Sequence, residues 1–187
     1  MRQIFMAAIG FSLISNAAVQ AQTRPAEPKP TEAPKAQPGA PDTTTDTFGD
    51  WAVVCGSHPS GTGEKICEVD ATLTVRGQPS PIAKIAFARQ AKDKPLRIIA
   101  LVPVNVSFHK GVRIDLEPGK SGVDLAYKSC VPAACIGEAE LSAAQLQAFR
   151  SPPASGQLTF EDATGKPMQV QFSYKGLDQA LESFLKR

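Results

Sequence analysis

Four cysteines, Cys55, Cys67, Cys130 and Cys135, constrain this chain more than any other feature, because all lie downstream of an apolar N-terminal run. Arg2 gives that run a basic start, the apolar stretch extends from Ile4 to Ile14, and small and polar residues lead to Val19-Gln20-Ala21. This is the three-part layout of a secretory signal peptide, with residues 1–21 removed on export. The apolar run is shorter than the roughly 20 residues that span a bilayer, and no later stretch is long enough, so no transmembrane segment is expected in the mature chain. No cysteine sits near the cleavage position to carry a lipid anchor. An exported chain meets an oxidising compartment, where an even set of cysteines reads as disulfides. Cys55 and Cys67 lie twelve positions apart, and Cys130 and Cys135 five. Four cysteines allow three pairings. The local one, Cys55–Cys67 with Cys130–Cys135, is the expectation.

Composition changes sharply over residues 22–47. Six prolines (Pro25, Pro28, Pro30, Pro34, Pro38, Pro41) alternate with Ala, Lys and Glu, and Asp42-Thr-Thr-Thr-Asp46 follows. Nothing there can bury a core, and proline favours extended polyproline II, so a disordered spacer is expected. A proline-rich ligand for a groove-type partner is the sharper alternative, but no aromatic residue accompanies the prolines. Residues 48–187 then have the length of one domain of about 100–150 residues. Charges nearly balance, 20 Lys and Arg against 18 Asp and Glu, and are interspersed without a basic block. Nucleic acid is therefore not an expected partner.

Short strands dominate the reading of the domain. In Trp51-Ala-Val-Val-Cys55, Trp51, Val53 and Cys55 share one face, and Ile66 to Val75 alternates well enough to pair with it. Such a hairpin would set Cys55 opposite Cys67 near the base of its loop. Strands are also expected at Ile82–Ala88, Leu96–Val102, Val112–Leu116, Val123–Cys130 and Cys135–Leu141. Leu96–Val102 is the most hydrophobic and is read as central. Glu117-Pro-Gly-Lys120 suits a turn, and Ser142-Ala-Ala-Gln145 is a capping box opening a brief helix through Phe149. Leu158 and Phe160 lead into a hairpin turning at Asp162–Gly165, and its return strand sets Met168, Val170, Phe172 and Tyr174 on one face. Leu177, Ala180, Leu181, Phe184 and Leu185 form a helical stripe expected to dock on the core. Many short strands with frequent turns and late helices indicate a mainly β, antiparallel sandwich. Trp51, Ile98, Leu101, Val170 and Phe172 are its expected core.

The ordered combination of Phe48-Gly-Asp-Trp51, Cys55 and Cys67, Gly111-Val-Arg-Ile-Asp115, Cys130-x4-Cys135 and Phe172-Ser-Tyr-Lys-Gly176-Leu-Asp-Gln-Ala180-Leu resembles the invasion-associated locus B family of exported proteins from Gram-negative bacteria. The resemblance covers about Phe48 to Leu185 and not the spacer. It implies an immunoglobulin-like β-sandwich, export to the periplasm or outer surface, and no established enzymatic activity. The family takes its name from host-cell invasion by pathogenic members. One departure is Ala134, where members often have glycine before the last cysteine.

Candidate chemistry is sparse. The cysteine spacing is not the paired CxxC of a zinc ribbon, nor a CxxC redox site at a helix start. The histidines are His58 and His109, both in polar stretches; Ser57-His58 or Ser60 superficially suggests a hydrolase, but no GxSxG elbow is present. Pro118-Gly-Lys-Ser121 echoes a phosphate loop, yet Ile114 stands where its first glycine belongs. Asp115, Asp124, Glu138 and Glu140 alternate on strands rather than filling a dense acidic loop, so no calcium site is expected. Asn105-Val-Ser107 is a glycosylation sequon relevant only in a eukaryotic secretory pathway. No catalytic, cofactor or metal site is expected. The reading is an exported, non-enzymatic protein that binds a protein partner in the envelope or on a host cell. A structural role in envelope homeostasis is the alternative, and a serine-type hydrolase a distant third. Non-reducing peptide mapping should recover Cys55 linked to Cys67 and Cys130 to Cys135; a peptide joining Cys55 to either late cysteine contradicts the local pairing.

Overall fold

The computed structural model describes residues 43–57, 65–75, 77–78, 80–152 and 154–187. Its elements in chain order are β1 (Thr43–Phe48), β2 (Trp51–Ser57), β3 (Lys65–Leu73), β4 (Ala83–Ala88), β5 (Arg97–Val102), β6 (Val112–Asp115), β7 (Gly122–Val131), β8 (Ala134–Glu140), α1 (Ala143–Arg150), β9 (Ser155–Glu161), β10 (Pro167–Ser173) and α2 (Leu177–Leu185). The fold is mostly β. All the strand pairings are antiparallel, in the order β1-β2-β3-β4-β5-β8-β7-β6-β9-β10.

A single twisted sheet becomes a sandwich-like structure through β7. Its first half, Gly122–Leu125, pairs with β6, and its second half, Ala126–Val131, pairs with β8, with a register shift between Tyr127 and Ser129. A bulge bends the strand and increases its twist. The β6-β9-β10 portion therefore turns back over the β2–β5 portion, and the core lies between. Trp51 on β2 bridges the two: its ring sits 5.7 Å from Phe87 and 6.3 Å from Phe172, and its Nε1 donates to the Ser173 carbonyl at 2.9 Å. Phe149 of α1 meets Phe87 edge-on at 5.3 Å. The expected capping box of α1 is present, with Ser142 Oγ accepting from Gln145 N and Gln145 Oε1 accepting from Ser142 N.

Two expectations need correction. The spacer was expected to run through Thr47, but Thr43–Phe48 is a strand paired residue for residue with β2 from Thr43↔Gly56 to Phe48↔Trp51. Its polar TTTDT sequence buries nothing; it forms because β2 offers a free edge of backbone donors and acceptors, which only another strand or water can satisfy. The earlier part of the expected spacer and the signal peptide lie outside the described residues. Leu101, expected in the core, is half-buried on the outer face, while Ile98, Ala100 and Val102 are buried. Ile98 and Leu101 are an odd number of residues apart, so a period-two strand must place them on opposite faces.

Helix α2 closes the core. Leu177, Ala180, Leu181 and Phe184 are buried and Leu185 is packed at the rim, so so short a helix owes its stability to docking rather than to propensity. Its entry is fixed by two glycines facing each other. Gly176 opens the helix at φ 93°, and a Cβ there would overlap the Phe48 carbonyl; Gly49, at φ 59°, is similarly close to the Lys175 carbonyl, which accepts from Asp50 N at 2.9 Å. Both positions combine a left-handed backbone with no room for a side chain. Gly176→Ala should therefore destabilise the domain by more than about 2 kcal/mol, adding backbone displacement to the ~1–3 kcal/mol of left-handed strain. Gly165→Ala, at φ 83° with open space around it, should show only the strain component. Equal losses of denaturation midpoint for the two variants would contradict the close packing assigned to Gly176.

Candidate functional site

The two disulfides sit at opposite ends of the sheet. Cys55 lies directly across from Cys67 and is bonded to it; Cys130 and Cys135 are paired the same way. Next to Cys67, Glu68 faces Ala88, Ala88 faces Arg97 and Arg97 faces Glu140, tracing one end across four strands. Cys135 faces Val102, at the far end of β5. Each bridge thus staples the mouth of a hairpin, and the chemistry around the two differs.

At the Cys130–Cys135 end the surface is apolar. Val104, Phe108 and Val131 are 52%, 49% and 46% exposed, the large hydrophobics most open to solvent among the described residues. Phe108 stacks on Tyr127 with ring centroids 5.0 Å apart, and the Val104 carbonyl lies 3.9 Å from Cys135 Sγ. Beside them Ile82, Leu101, Pro103 and Ala133 line a shallow groove of about 450 Å³. The β7–β8 turn is made by Pro132 and Ala133, so Ala134 belongs to β8, paired with Val131. Beneath Phe108 the Tyr127 hydroxyl is buried without a hydrogen-bond partner, and burial pushes its pKa up to about 12. Tyr174 differs: its hydroxyl donates to the Leu116 carbonyl at 2.8 Å, and burial together with the Asp115 charge raises its pKa.

At the Cys55–Cys67 end a pocket of about 320 Å³ opens over the bridge, with Lys65, Arg89, Lys92 and Arg187 around it and Phe184 in its wall. These residues come from the start of β3, the β4–β5 connection and the C-terminal segment after α2. No local spacing announces them, and sequence reasoning missed them. The apolar end was missed for a different reason: periodicity identifies buried faces, while Val104 and Phe108 stand in a connection.

The candidates read from the sequence are dispersed. Ser57 is exposed at the end of β2, and His58 and Ser60 lie outside the described residues. His109 is exposed in the turn after Phe108, at the end of the molecule away from Ser57. The four acids divide between two arginines. Arg113 holds Asp115 and Asp124 at 2.6 and 2.9 Å, and Arg97 holds Glu138 and Glu140 at 3.0 and 3.1 Å. Hydrogen bonds and charge from these carboxylates raise the pKa of both guanidinium groups. Among the described residues no group of three or more His, Cys, Asp or Glu side chains is placed to hold a metal. Gly119-Lys120 is part of an exposed turn closed by Lys120 N donating to the Glu117 carbonyl at 2.9 Å, and Ile114 is buried in β6.

Residues 51–185 match the family model described as invasion associated locus B (IalB) protein. The chain belongs to the invasion-associated locus B family. It is 27% identical over 126 residues to Invasion protein B of Bartonella bacilliformis, across 67% of this chain and 64% of that relative, so it spans just under two thirds of the relative's length. Its fold is similar to the crystal structure of invasion associated protein B from Bartonella henselae, with a TM-score of 0.64 at 23% identity, covering 76% of this chain and 95% of that one. The family match extends from Trp51 into α2 and so takes in both stapled ends. Among the described residues no helix is long and apolar enough to cross a membrane.

The two tyrosines, the only ones in the chain, give the fold an alkaline signature. Tyr127 keeps its proton to about pH 12 when folded, against 10.0 for an unperturbed phenol. Between those values the unfolded state binds fewer protons than the folded one, so stability falls as pH rises. Absorbance of tyrosinate should stay near zero at pH 10.5 (roughly half a unit above an ordinary phenol) in the folded protein, and be well developed in denaturant at the same pH. Ordinary titration near pH 10 in the folded protein would contradict the burial of both hydroxyls.

Proposed function

We propose that this is an exported, non-enzymatic protein that binds a protein partner through the apolar end stapled by Cys130–Cys135. The observation that carries the reading is the exposed group of Val104, Phe108 and Val131, held on a cross-linked hairpin and the connection packed beside it. Contiguous apolar surface on a folded domain marks contact sites, and aromatic residues in such a surface supply much of the binding energy. A staple keeps the hairpin tip ordered before the partner arrives, which lowers the entropic cost of association.

Several features support export. The N-terminal residues 1–21 have the composition of a signal peptide, the cysteines are bonded in the fold, and the relative from Bartonella bacilliformis is named for invasion. The proposed organisation is a signal peptide, a proline-rich spacer ending before Thr43, and the folded domain. The partner is a protein of the envelope or of a host-cell surface. Among the described residues, Ser57 and His109 lie on separate elements and the four acids are held by Arg97 and Arg113, which supports a role without catalysis.

A photo-cross-linking residue at position 108, introduced in the native envelope and analysed by mass spectrometry, should capture one dominant protein. The same residue at position 120, in the exposed β6–β7 turn, should not capture it. Phe108→Asp should abolish the complex while lowering the melting temperature by only a few degrees, since losing the stacked pair with Tyr127 costs about 0.5–1.5 kcal/mol. Equal capture from both positions, or a complex unaffected by Phe108→Asp, would overturn the assignment of the binding surface.

A further inference from the structure

Elsewhere on the sheet, several cations are held by carboxylates, although among the described residues single lysines such as Lys128 stand alone. Lys84 lies 2.6 and 2.5 Å from Glu68 and Asp70, Arg97 holds Glu138 and Glu140, Arg113 holds Asp115 and Asp124, and Arg150 pairs with Asp178 at 2.7 Å. The pocket over Cys55–Cys67 differs in gathering four cations around one concavity. Lys65, Arg89, Lys92 and Arg187 surround it, and among the described residues Asp46, on Arg187, is the one carboxylate paired with any of them. Among the described residues three positive charges there have no acidic partner, and like charges around one concavity focus a positive potential into it.

The two arginines are held in place from behind. The Arg89 guanidinium lies over the Phe184 ring, 5.1 Å from its centroid, and donates to the carbonyls of Leu185 and Lys92 at 3.4 and 3.5 Å. Arg187 donates to Cys55 Sγ at 3.2 Å and to Ser183 Oγ at 3.3 Å, besides pairing with Asp46. A guanidinium has five N–H donors in a rigid fork, so Arg89 keeps donors available after these contacts. The apolar part of the lining that solvent reaches is Ile66, Cys67 and Ala91, with Phe184 buried behind Arg89. Cationic tips above an apolar wall fit an anion carried on a small organic body.

We propose that this pocket binds a phosphomonoester, with the phosphoryl group on Lys65, Arg89 and Lys92 and the organic body against the half-buried Ile66, Cys67 and Ala91. A single carboxylate neutralises one of the three unmatched cations. A phosphomonoester carries about −1.5 to −2 charge at pH 7 and three strong acceptor oxygens, which suits several donors at once, and arginine recognises it through parallel N–H bonds. The volume of about 320 Å³ exceeds a bare ion and falls at the small end of ligand pockets of about 300–1,000 Å³. The phosphoryl group is the shared chemistry of a soluble phosphate ester and of a lipid headgroup ending in phosphate.

The test uses the disulfide-bonded protein in two arms. Glycerol 3-phosphate is titrated by calorimetry, and phosphatidylcholine vesicles with and without phosphatidic acid are used in a flotation assay. The pocket variant is Lys65→Gln with Lys92→Gln, both exposed; the control, Lys110→Gln with Lys120→Gln, removes the same charge outside the pocket. Saturable binding weakened about tenfold or more by the pocket variant and unchanged in the control supports the site, because a charge-assisted bond contributes on that scale. Binding in the soluble arm alone identifies a small phosphate ester, and binding to phosphatidic acid vesicles alone a headgroup. Absence of saturable binding in both arms, or equal weakening by the pocket and control variants, overturns the proposal.

Discussion

Trp51 is the side chain on which the closure of this fold depends. Its indole is almost wholly buried, packed between Phe87 of one portion of the sheet (tilted) and Phe172 of the other (edge-on), with its N–H on the Ser173 carbonyl. Removing a buried ring of this size costs about 3–5 kcal/mol, a large share of the 5–15 kcal/mol that typically separates folded from unfolded domains. The indole N–H also has to find a partner inside the protein, and Ser173 supplies it at the very end of β10. The geometry of that meeting is set one turn away. Gly49 precedes Trp51 by two residues, Gly176 follows Ser173 by three, and their backbones meet where neither could carry a Cβ. The start of β2, the end of β10 and the entry to α2 are consequently fixed together.

The disulfides act on a different scale. Each joins directly opposed residues of one hairpin, closing a short loop, so in the loop-entropy account each contributes roughly 2–3 kcal/mol by restricting the unfolded chain. Neither links the two portions of the sheet; the aromatic core does that. What the staples do is hold each end of the sheet in a defined shape. One end presents exposed aliphatic and aromatic side chains, the other a cationic pocket. In a member of the invasion-associated locus B family, that division places two surfaces of contrasting chemistry at opposite ends of one sheet.

Much of this was legible because local patterns coincide with burial. Trp51, Val53 and Cys55 alternate with half-buried neighbours and do line the core; Val170 and Phe172 of β10 and Tyr174 just after it do the same; the stripe from Leu177 to Phe184 is buried as its period requires. The capping box at Ser142 and the turn at Asp162–Gly165 also follow from short-range chemistry. β1 was not legible because an edge strand whose Thr43–Thr47 side chains are all exposed leaves no periodic trace, only paired backbone. Leu101 is hard to place by composition, because β5 is hydrophobic on both faces and only its period of two separates Leu101 from Ile98. The two surfaces were invisible for a common reason. Lys65, Arg89 and Arg187 are brought together by register and helix docking rather than by spacing, and an exposed Phe108 looks in sequence like any other apolar residue awaiting burial.

The central claim is that the strands and α2 form one closed unit around Trp51, the only tryptophan of the chain. Equilibrium unfolding of the oxidised protein, followed in parallel by Trp51 fluorescence and by far-ultraviolet circular dichroism, tests it directly, since coincident transitions mark a single cooperative unit. The two signals should change with the same midpoint and slope. Loss of the Trp51 signal at lower denaturant than the loss of secondary structure would mean that the sheet survives without its closure, and would contradict the account.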